Sequence, residues 1–442
     1  MKKDRLNSLI RHYVKSMLSP NQNDIQFVSK IYQSFNDLLG VNNCIQIGSY
    51  PRYTAVRPLH DLDILYIIGD WADRNIIPDK ILSDFALKFR KEYKNPTTYE
   101  IKILVQTHSI SFKYLKNNEE VFAVDLVPAL KKGINEFGQN MFYVPEIIKI
   151  KRGEKRAKYY SEAIKNRSEI AWIKTDPIGY IYVASELNKV NTDFRKTVKF
   201  AKGWRNYCKK TNEDFKLKSF HIEQIITLDS KPNRKIEIFD ALFKFFTELK
   251  EKTKEPYIRD RADNTKFIDE YLNDLTDNQK LIINQAIDSI LLSFETIDEN
   301  KTIEKIVKSG YYERNGTKES FLFDQKIPVL LDDNFSIKID GFIRKYDGFR
   351  DYQASLKVSN GVVDTKNSIE FKVISNSANC DILKWKVKND NNSNEPRGEI
   401  TDKTTSQNPE KTAYVGNHYV ECYAIKNNIC IARDRINVVV RR

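Results

Sequence analysis

Three aspartates stand in places where a carboxylate is costly. Asp61 and Asp63 open the run DLDILYII, and Asp125 sits alone in VFAVDLVP, both otherwise apolar segments that read as strands covered on both faces. Side chains alternate along a strand, so two residues at a spacing of two share one face. Like charges so placed repel unless a cation lies between them, and the hard ion that takes carboxylate oxygens beside a phosphate is magnesium. A lone Asp inside an apolar strand is likewise costly to bury without a partner or a metal.

A short strand over Ile45 and Ile47 leads to Gly48-Ser49, and the residues after it read as a short polar helix closed by Pro58. Gly48 can adopt a backbone conformation closed to other residues, and Ser49 would offer a hydroxyl and an N–H at a helix start, where anions bind. A phosphate cradle a few residues ahead of three metal-binding carboxylates is the equipment of two-metal phosphoryl transfer, in which two Mg2+ ions hold the attacking and leaving oxygens. His60, beside Asp61, reads as an ordinary strand-end residue.

The ordered set GSYPRYT (48–54), HDLDILY (60–66) and VDLVP (124–128) resembles the signature of polymerase-β-like nucleotidyltransferases, and most closely the CD-NTases, the bacterial relatives of cGAS and oligoadenylate synthase. That resemblance implies that Gly48 and Ser49 hold the donor triphosphate and that Asp61, Asp63 and Asp125 hold two magnesium ions, with Asp125 also activating the attacking hydroxyl. A lysine on a long helix ahead of a tryptophan, then a serine opening the next helix, is a further part of the pattern. It is matched by NTDFRKTVKFAKGWRNYCK (191–209) and KLKSFHIEQII (216–226), which places Lys202 and Ser219 against the donor phosphates. Lysine suits phosphate as a compact charge. Ser219 is equally suited to be the N-cap of its helix, a role that needs no ligand.

The elements that must position these groups follow from periodicity. Residues 4–18 and 24–39 read as amphipathic helices, the second capped by Asp24 and stopped by Gly40, and the family pattern packs such helices behind the catalytic sheet. Residues 79–93 read as a helix, and 100–106 with 109–114 as a hairpin ahead of the Asp125 strand. The Lys- and Arg-rich stretch 149–165 reads either as a solvated helix face or as a basic wall along the cleft. After Asp176-Pro177 helical patterns continue through 236–248 and 278–292, separated by the polar loop PYIRDRADN.

Near residues 310–319 the period changes to two. KIPVLL, FSIKIDGF, SIEFKVIS, ILKWKVKN, HYVECYAI and INVVV are short alternating runs between Asn, Asp and Gly turns, the mark of a β-sandwich, with Asn427-Asn428 as a hairpin turn. WKVKN, RGEI and the run from Gly416 resemble the adenylyl/guanylyl and CD-NTase C-terminal sensor domain, a module often fused to or placed beside these enzymes. The resemblance implies ligand binding, with Trp385, Arg397, His418 and Glu421 as candidates and Arg397 and His418 the preferred pair. The expected architecture is α+β: a polymerase-β-like nucleotidyltransferase lobe (1–175), a helical lobe closing the nucleotide cleft (176–320) and an all-β sandwich sensor (321–442).

Composition narrows the function classes. The formal charge of the 442 residues is +13, which favours polyanionic partners such as nucleotides. Five scattered cysteines form no zinc-spaced set and suit reduced thiols. No stretch is long and apolar enough to insert into a membrane, and the start of the chain lacks the apolar core of a signal peptide, so the expected location is cytoplasmic. The expected activity joins nucleoside triphosphates, with pyrophosphate released, into a cyclic oligonucleotide second messenger for anti-phage defence, read by a separately encoded effector. Two alternatives stay open: template-independent synthesis of linear RNA or DNA, which the 23 tyrosines permit to be primed on a tyrosine hydroxyl, and a non-catalytic nucleotide-binding switch.

Overall fold

The computed structural model describes residues 3–73, 78–106, 108–146, 172–297, 302–314, 318–347, 350–402 and 409–442. The basic stretch 149–165 falls outside them.

The first sheet is built on a parallel pair. Strand β2 (Asp61–Asp70) runs beside β5 (Glu119–Ile134), in the order β1-β2-β5-β4-β3, where β1 is Cys44–Ile47, β3 Glu100–Val105 and β4 Ile110–Lys116. Strands β6 (Asn140–Pro145) and β7 (Trp172–Thr175) extend it off β5, and the sequence reading had neither. Helices α2 (Gln22–Leu39) and α3 (Pro78–Glu92) bury Val28, Ile31, Phe35, Leu82 and Phe89 against Leu62, Ile64, Phe112 and Val124 of the sheet. Leu65, Ala129, Phe142 and Val144 pack together on the opposite face, so the runs in β2 and β5 are apolar on both parities because each face is covered over part of its length. The N-cap of α2 is Asn21; Asp24, expected there, is the third helical residue and closes a capping box with it.

The expected helix after Ser49 is absent. Residues 48–53 form successive turns, with Tyr53 in the left-handed region at φ 59°. Arg52 and Thr54 are drawn away from any helical path by bonds to a distant glutamate, described below.

The first helix also departs from expectation. Helix α1 (Lys3–Tyr13) continues as a wider turn over Val14–Leu18, and its stripe of Leu6, Ile10 and Val14 packs not behind the sheet but among the helices of the second lobe. Charge fixes it there, since Arg11 pairs with Asp193 at 2.6 Å and the Asn7 side chain accepts from the Phe239 amide. That lobe comprises α4 (Pro177–Val190), α5 (Phe194–Thr211), α6 (Ser219–Ser230), α7 (Ile238–Lys252), α8 (Asp277–Glu295) and α9 (Ile303–Val307). Asp176 caps α4, with Pro177 in the first turn where its missing N–H costs nothing.

The C-terminal sandwich has a five-stranded sheet, β10-β16-β15-β12-β13, facing a four-stranded one, β14-β11-β8-β9. Their ranges are β8 Ile337–Asp347, β9 Arg350–Ser355, β10 Val362–Asp364, β11 Ser368–Asn376, β12 Ile382–Lys388, β13 Ile400–Thr401, β14 Glu410–Lys411, β15 Gly416–Lys426 and β16 Ile429–Arg441. Ile339, Ile343 and Phe371 of one sheet meet Trp385, Val420 and Cys422 of the other. The β15–β16 hairpin turns on Asn427 and Asn428, with φ of 49° and 60°, as the Asn pair predicted. KIPVLL, read as a strand, makes only one bridge, Val329 to Cys430.

The sandwich is stitched to α8. Arg314 reaches both Asp288 on α8 and Asp324, and Glu295 at the end of α8 accepts the Leu322 and Phe323 amides at 3.2 Å each. Along 321–330 the side chains divide: Phe321, Phe323 and Leu330 join the helical core, whereas Leu322, Ile327 and Val329 pack on Tyr423 and Ile425 of the sandwich.

Candidate active site

Strand register brings the three aspartates to one face. Asp63 lies directly opposite Asp125 across the parallel pair, and Asp61 is two residues along on the same side. Asp61 is exposed, whereas Asp63 and Asp125 are partly covered. Burial, and then repulsion from Asp61 and Asp125, pushes the Asp63 carboxyl up to about 7; burial likewise raises Asp125. The Oδ1 atom of Asp125 is buried without a hydrogen-bond partner.

These features bear on whether the residues suit hard cations. An orphaned carboxylate oxygen and carboxyls raised by mutual repulsion are what bound cations would relieve. Among the described residues no three His, Cys, Asp or Glu side chains are gathered as a ready-made cage, so the three aspartates share a face rather than a single point. By donor type alone they would suit a hard cation such as magnesium.

Gly48 is required for a reason beyond the one its type suggested. Its φ is +76°, and a Cβ at this position would overlap the Asp63 carboxylate. The turn therefore lies against the acidic face rather than beside it. Gly48→Ala should reduce turnover on the order of 10²-fold, because it forces both a strained backbone and a displaced Asp63. Pyrophosphate release measured beside a melting curve checks this, and near-normal turnover would refute the contact's importance.

Lys202 is less available than its type suggested. It is 5 % exposed, and its ammonium donates to Glu223 at 2.5 Å and to the Thr54 carbonyl and hydroxyl at 3.3 and 3.2 Å. Arg52 holds the same glutamate through bonds of 2.6 and 3.2 Å, and the Thr54 hydroxyl adds a third partner at 2.9 Å. Burial would raise Glu223, but Arg52 and Lys202 outweigh it and hold the carboxyl down at about 2. Two cations on one anion leave the cluster with an excess positive charge, and Arg52 and Lys202 both favour the ionised form of Asp63. In this structure Lys202 thus acts on the site through its field and through the turn, bonded away from the cleft.

Ser219 is the first residue of α6; the cap position is Lys218, so the capping role proposed for Ser219 is not observed. Sequence reading missed Arg52, Thr54 and Glu223, which meet across more than 160 residues. It also missed a signal that was present: Arg195, Lys199, Lys202 and Arg205 recur at helical spacing on one side of α5. Arg195 lies over the exposed Tyr53 ring at 4.7 Å, and Asp61 is close enough to stabilise the charges of Lys202 and Arg205.

In the sandwich, the two preferred ligand candidates are occupied internally. Arg397 pairs with Glu410 at 2.7 Å, and His418 accepts from the Asp390 amide at 3.2 Å while its other ring nitrogen bonds the Tyr414 carbonyl at 2.9 Å. Trp385 is buried in the core, and Glu421 accepts from the Tyr423 hydroxyl.

Beside a sheet with paired acidic strands, a glycine turn on its edge and a helical lobe, the chain carries a C-terminal sandwich that matches a sensor-domain family, and its sequence is similar to that of a cyclic oligonucleotide synthase. Residues 317–441 match the family described as Adenylyl/Guanylyl and SMODS C-terminal sensor domain. Among individual proteins, the chain is 24 % identical over 229 residues, half its length, to the cyclic AMP-AMP-AMP synthase of Escherichia coli strain MS 115-1, and spans 62 % of that relative. Solved structures that resemble it include the Escherichia coli MS115-1 CdnC with ATP (TM-score 0.47, 17 % identity, 70 % of this chain and 99 % of that one). The Elizabethkingia meningoseptica CdnE cyclic dinucleotide synthase is a more distant one (TM-score 0.37, 15 % identity, 60 % and 89 %). Among the described residues no helix is long and apolar enough to cross a membrane.

Proposed function

We propose that the protein joins nucleoside triphosphates into a cyclic oligonucleotide, releasing pyrophosphate at each step. The observation that carries this reading is the register of Asp63 against Asp125, with Asp61 on the same face and the Gly48 turn packed directly on Asp63. A hydroxyl of one nucleotide attacks the α-phosphorus of another, and the bond to pyrophosphate breaks. In this reading Asp125, whose carboxyl is raised by burial, accepts the hydroxyl proton. The turn at Gly48 and Ser49 receives the triphosphate, and the cationic side of α5 draws it in. Asp61, Asp63 and Asp125 would hold two magnesium ions, which supply charge neutralisation on the transferring phosphoryl group.

The cyclic outcome rests on the relative whose name specifies a cyclic trinucleotide. We extend the proposal to its setting: a cytoplasmic second messenger in anti-phage defence, read by a separate effector. The test is incubation of the protein with each labelled ribo- and deoxyribonucleoside triphosphate and magnesium, then phosphatase treatment and chromatography. A discrete phosphatase-resistant product is expected. A ladder of linear products, or label retained on denatured protein, would replace the cyclic reading with linear or tyrosine-primed synthesis.

A further inference from the structure

An open cleft of about 700 Å3 lies at one end of the sandwich, between the 365–368 segment, the 392–394 loop, the 411–415 segment and Arg442. Its volume falls within the range of small-molecule sites, roughly 300–1,000 Å3. Asn, Ser and Thr supply more than half of its lining residues, so hydrogen-bonding groups stand among the apolar surface.

The charge is one-sided. Lys366, Lys411 and Arg442 line the cleft, and among the described residues no Asp or Glu side chain does. Three nearby acids are committed elsewhere, Glu410 to Arg397, Glu395 to the Tyr414 hydroxyl, and Asp390 to the amides of Asn392 and Asn417 at 2.9 and 2.8 Å, while Asp364 is exposed and is not part of the lining. No Asp or Glu side chain on the described walls is therefore set against the two lysines, which are both exposed. The half-buried Tyr414 ring, with its hydroxyl tethered, offers a flat surface beside them.

The walls are preformed. Thr412, 4 % exposed, exchanges bonds with Asn367 (3.0 and 2.8 Å) and accepts the Lys366 amide at 3.2 Å, which holds both lysine-bearing segments side by side. Ser368 pairs with Lys411 in the β11–β14 register. Opposite, Asp390 and His418 brace the 390–394 loop against Tyr414, and Gly416 at φ +144° is needed because a Cβ there would overlap Asp390. Such rigidity lowers the ordering cost of binding. His418, expected as a ligand contact, instead acts as a positioning residue for this wall.

We propose that this cleft is a binding site for a phosphate-bearing nucleotide, the phosphates on Lys366 and Lys411 and a base or sugar against Tyr414. The site is independent of the chemistry at Asp61, so either assignment can fail without the other. The experiment uses the full chain carrying Asp61→Ala and Asp63→Ala, in EDTA, to silence the catalytic cleft. Calorimetric titration with ATP, linear triadenylate and cyclic triadenylate separates monomeric, linear and cyclic sources. At least one probe should bind, and Lys366→Glu with Lys411→Glu should weaken it by tenfold or more, with an unchanged melting curve. Binding of no probe, or equal affinity in the charge-reversed variant, would overturn the proposal.

Discussion

Asp61→Ala combined with Asp63→Ala should abolish pyrophosphate release while leaving the melting temperature unchanged or higher. The two readouts move apart for a physical reason. Loss of the groups that organise charge at a phosphoryl-transfer centre costs on the order of 10³-fold or more in rate. Folding, by contrast, is opposed by the Asp63 carboxylate: burial and the neighbouring charges push it to about 7, so its ionised form is disfavoured in the native state. Removing it relieves repulsion that an ordinary structural aspartate would not carry. Retained activity would end the catalytic assignment, and a collapse in stability would recast the aspartates as structural.

The second large effect concerns Glu223. It is 1 % exposed and is the shared anion of Arg52 and Lys202, so Glu223→Gln leaves two buried cations without a counter-charge. Breaking a buried pair from one side typically costs about 3–5 kcal/mol. Acid provides an independent check. The Glu223 carboxyl is held near 2 in the folded chain against an ordinary 4.5, a depressed value, so its stabilisation is present above 4.5 and is lost as pH falls from there toward 2. The parent should therefore lose roughly 3 kcal/mol of stability across that window that the variant has already lost. Urea unfolding at pH 7 and pH 2 measures both, and a variant as stable as the parent at pH 7 would refute the network's role. Turnover should fall too, because Arg52 and Thr54 are the anchors of the Gly48 turn.

What the sequence made legible was local. The aspartates were readable because an acid in an apolar strand violates a simple pattern, and strand alternation says which acids share a face. Gly48 was readable as a special residue, but its contact with Asp63 depends on the pairing of Ile47 with Asp63, which no spacing reveals. Lys202 was legible by type and helix position, whereas its partner lies on another helix and its second anchor in a turn 148 residues earlier. The helix expected after Ser49 failed for the same reason: local propensity lost to the pull of Glu223 on Arg52 and Thr54. The apolar stripe of α1 announced that it would be buried, yet amphipathicity names no partner, and the bonds of Arg11 to Asp193 and of Asn7 to Phe239 that mark its place join residues far apart in the chain. In the sandwich, residue type suggested Arg397 and His418, while the folded chain spends both on holding loops in place.

The divided side chains of 321–330 bear on how such chains can be recombined. A cut at residue 320 would leave the helical lobe with a hole where Phe321, Phe323 and Leu330 belong, and would give Glu295 a buried charge with neither amide to receive it. The same cut would hand the sandwich three aromatic and aliphatic side chains facing water. A gene fusion that exchanged this sensor for another would have to carry the seam from Arg314 to Leu330 with it, along with its two sockets on α8. The unit of inheritance is thus longer at its front edge than the β-sandwich it delivers.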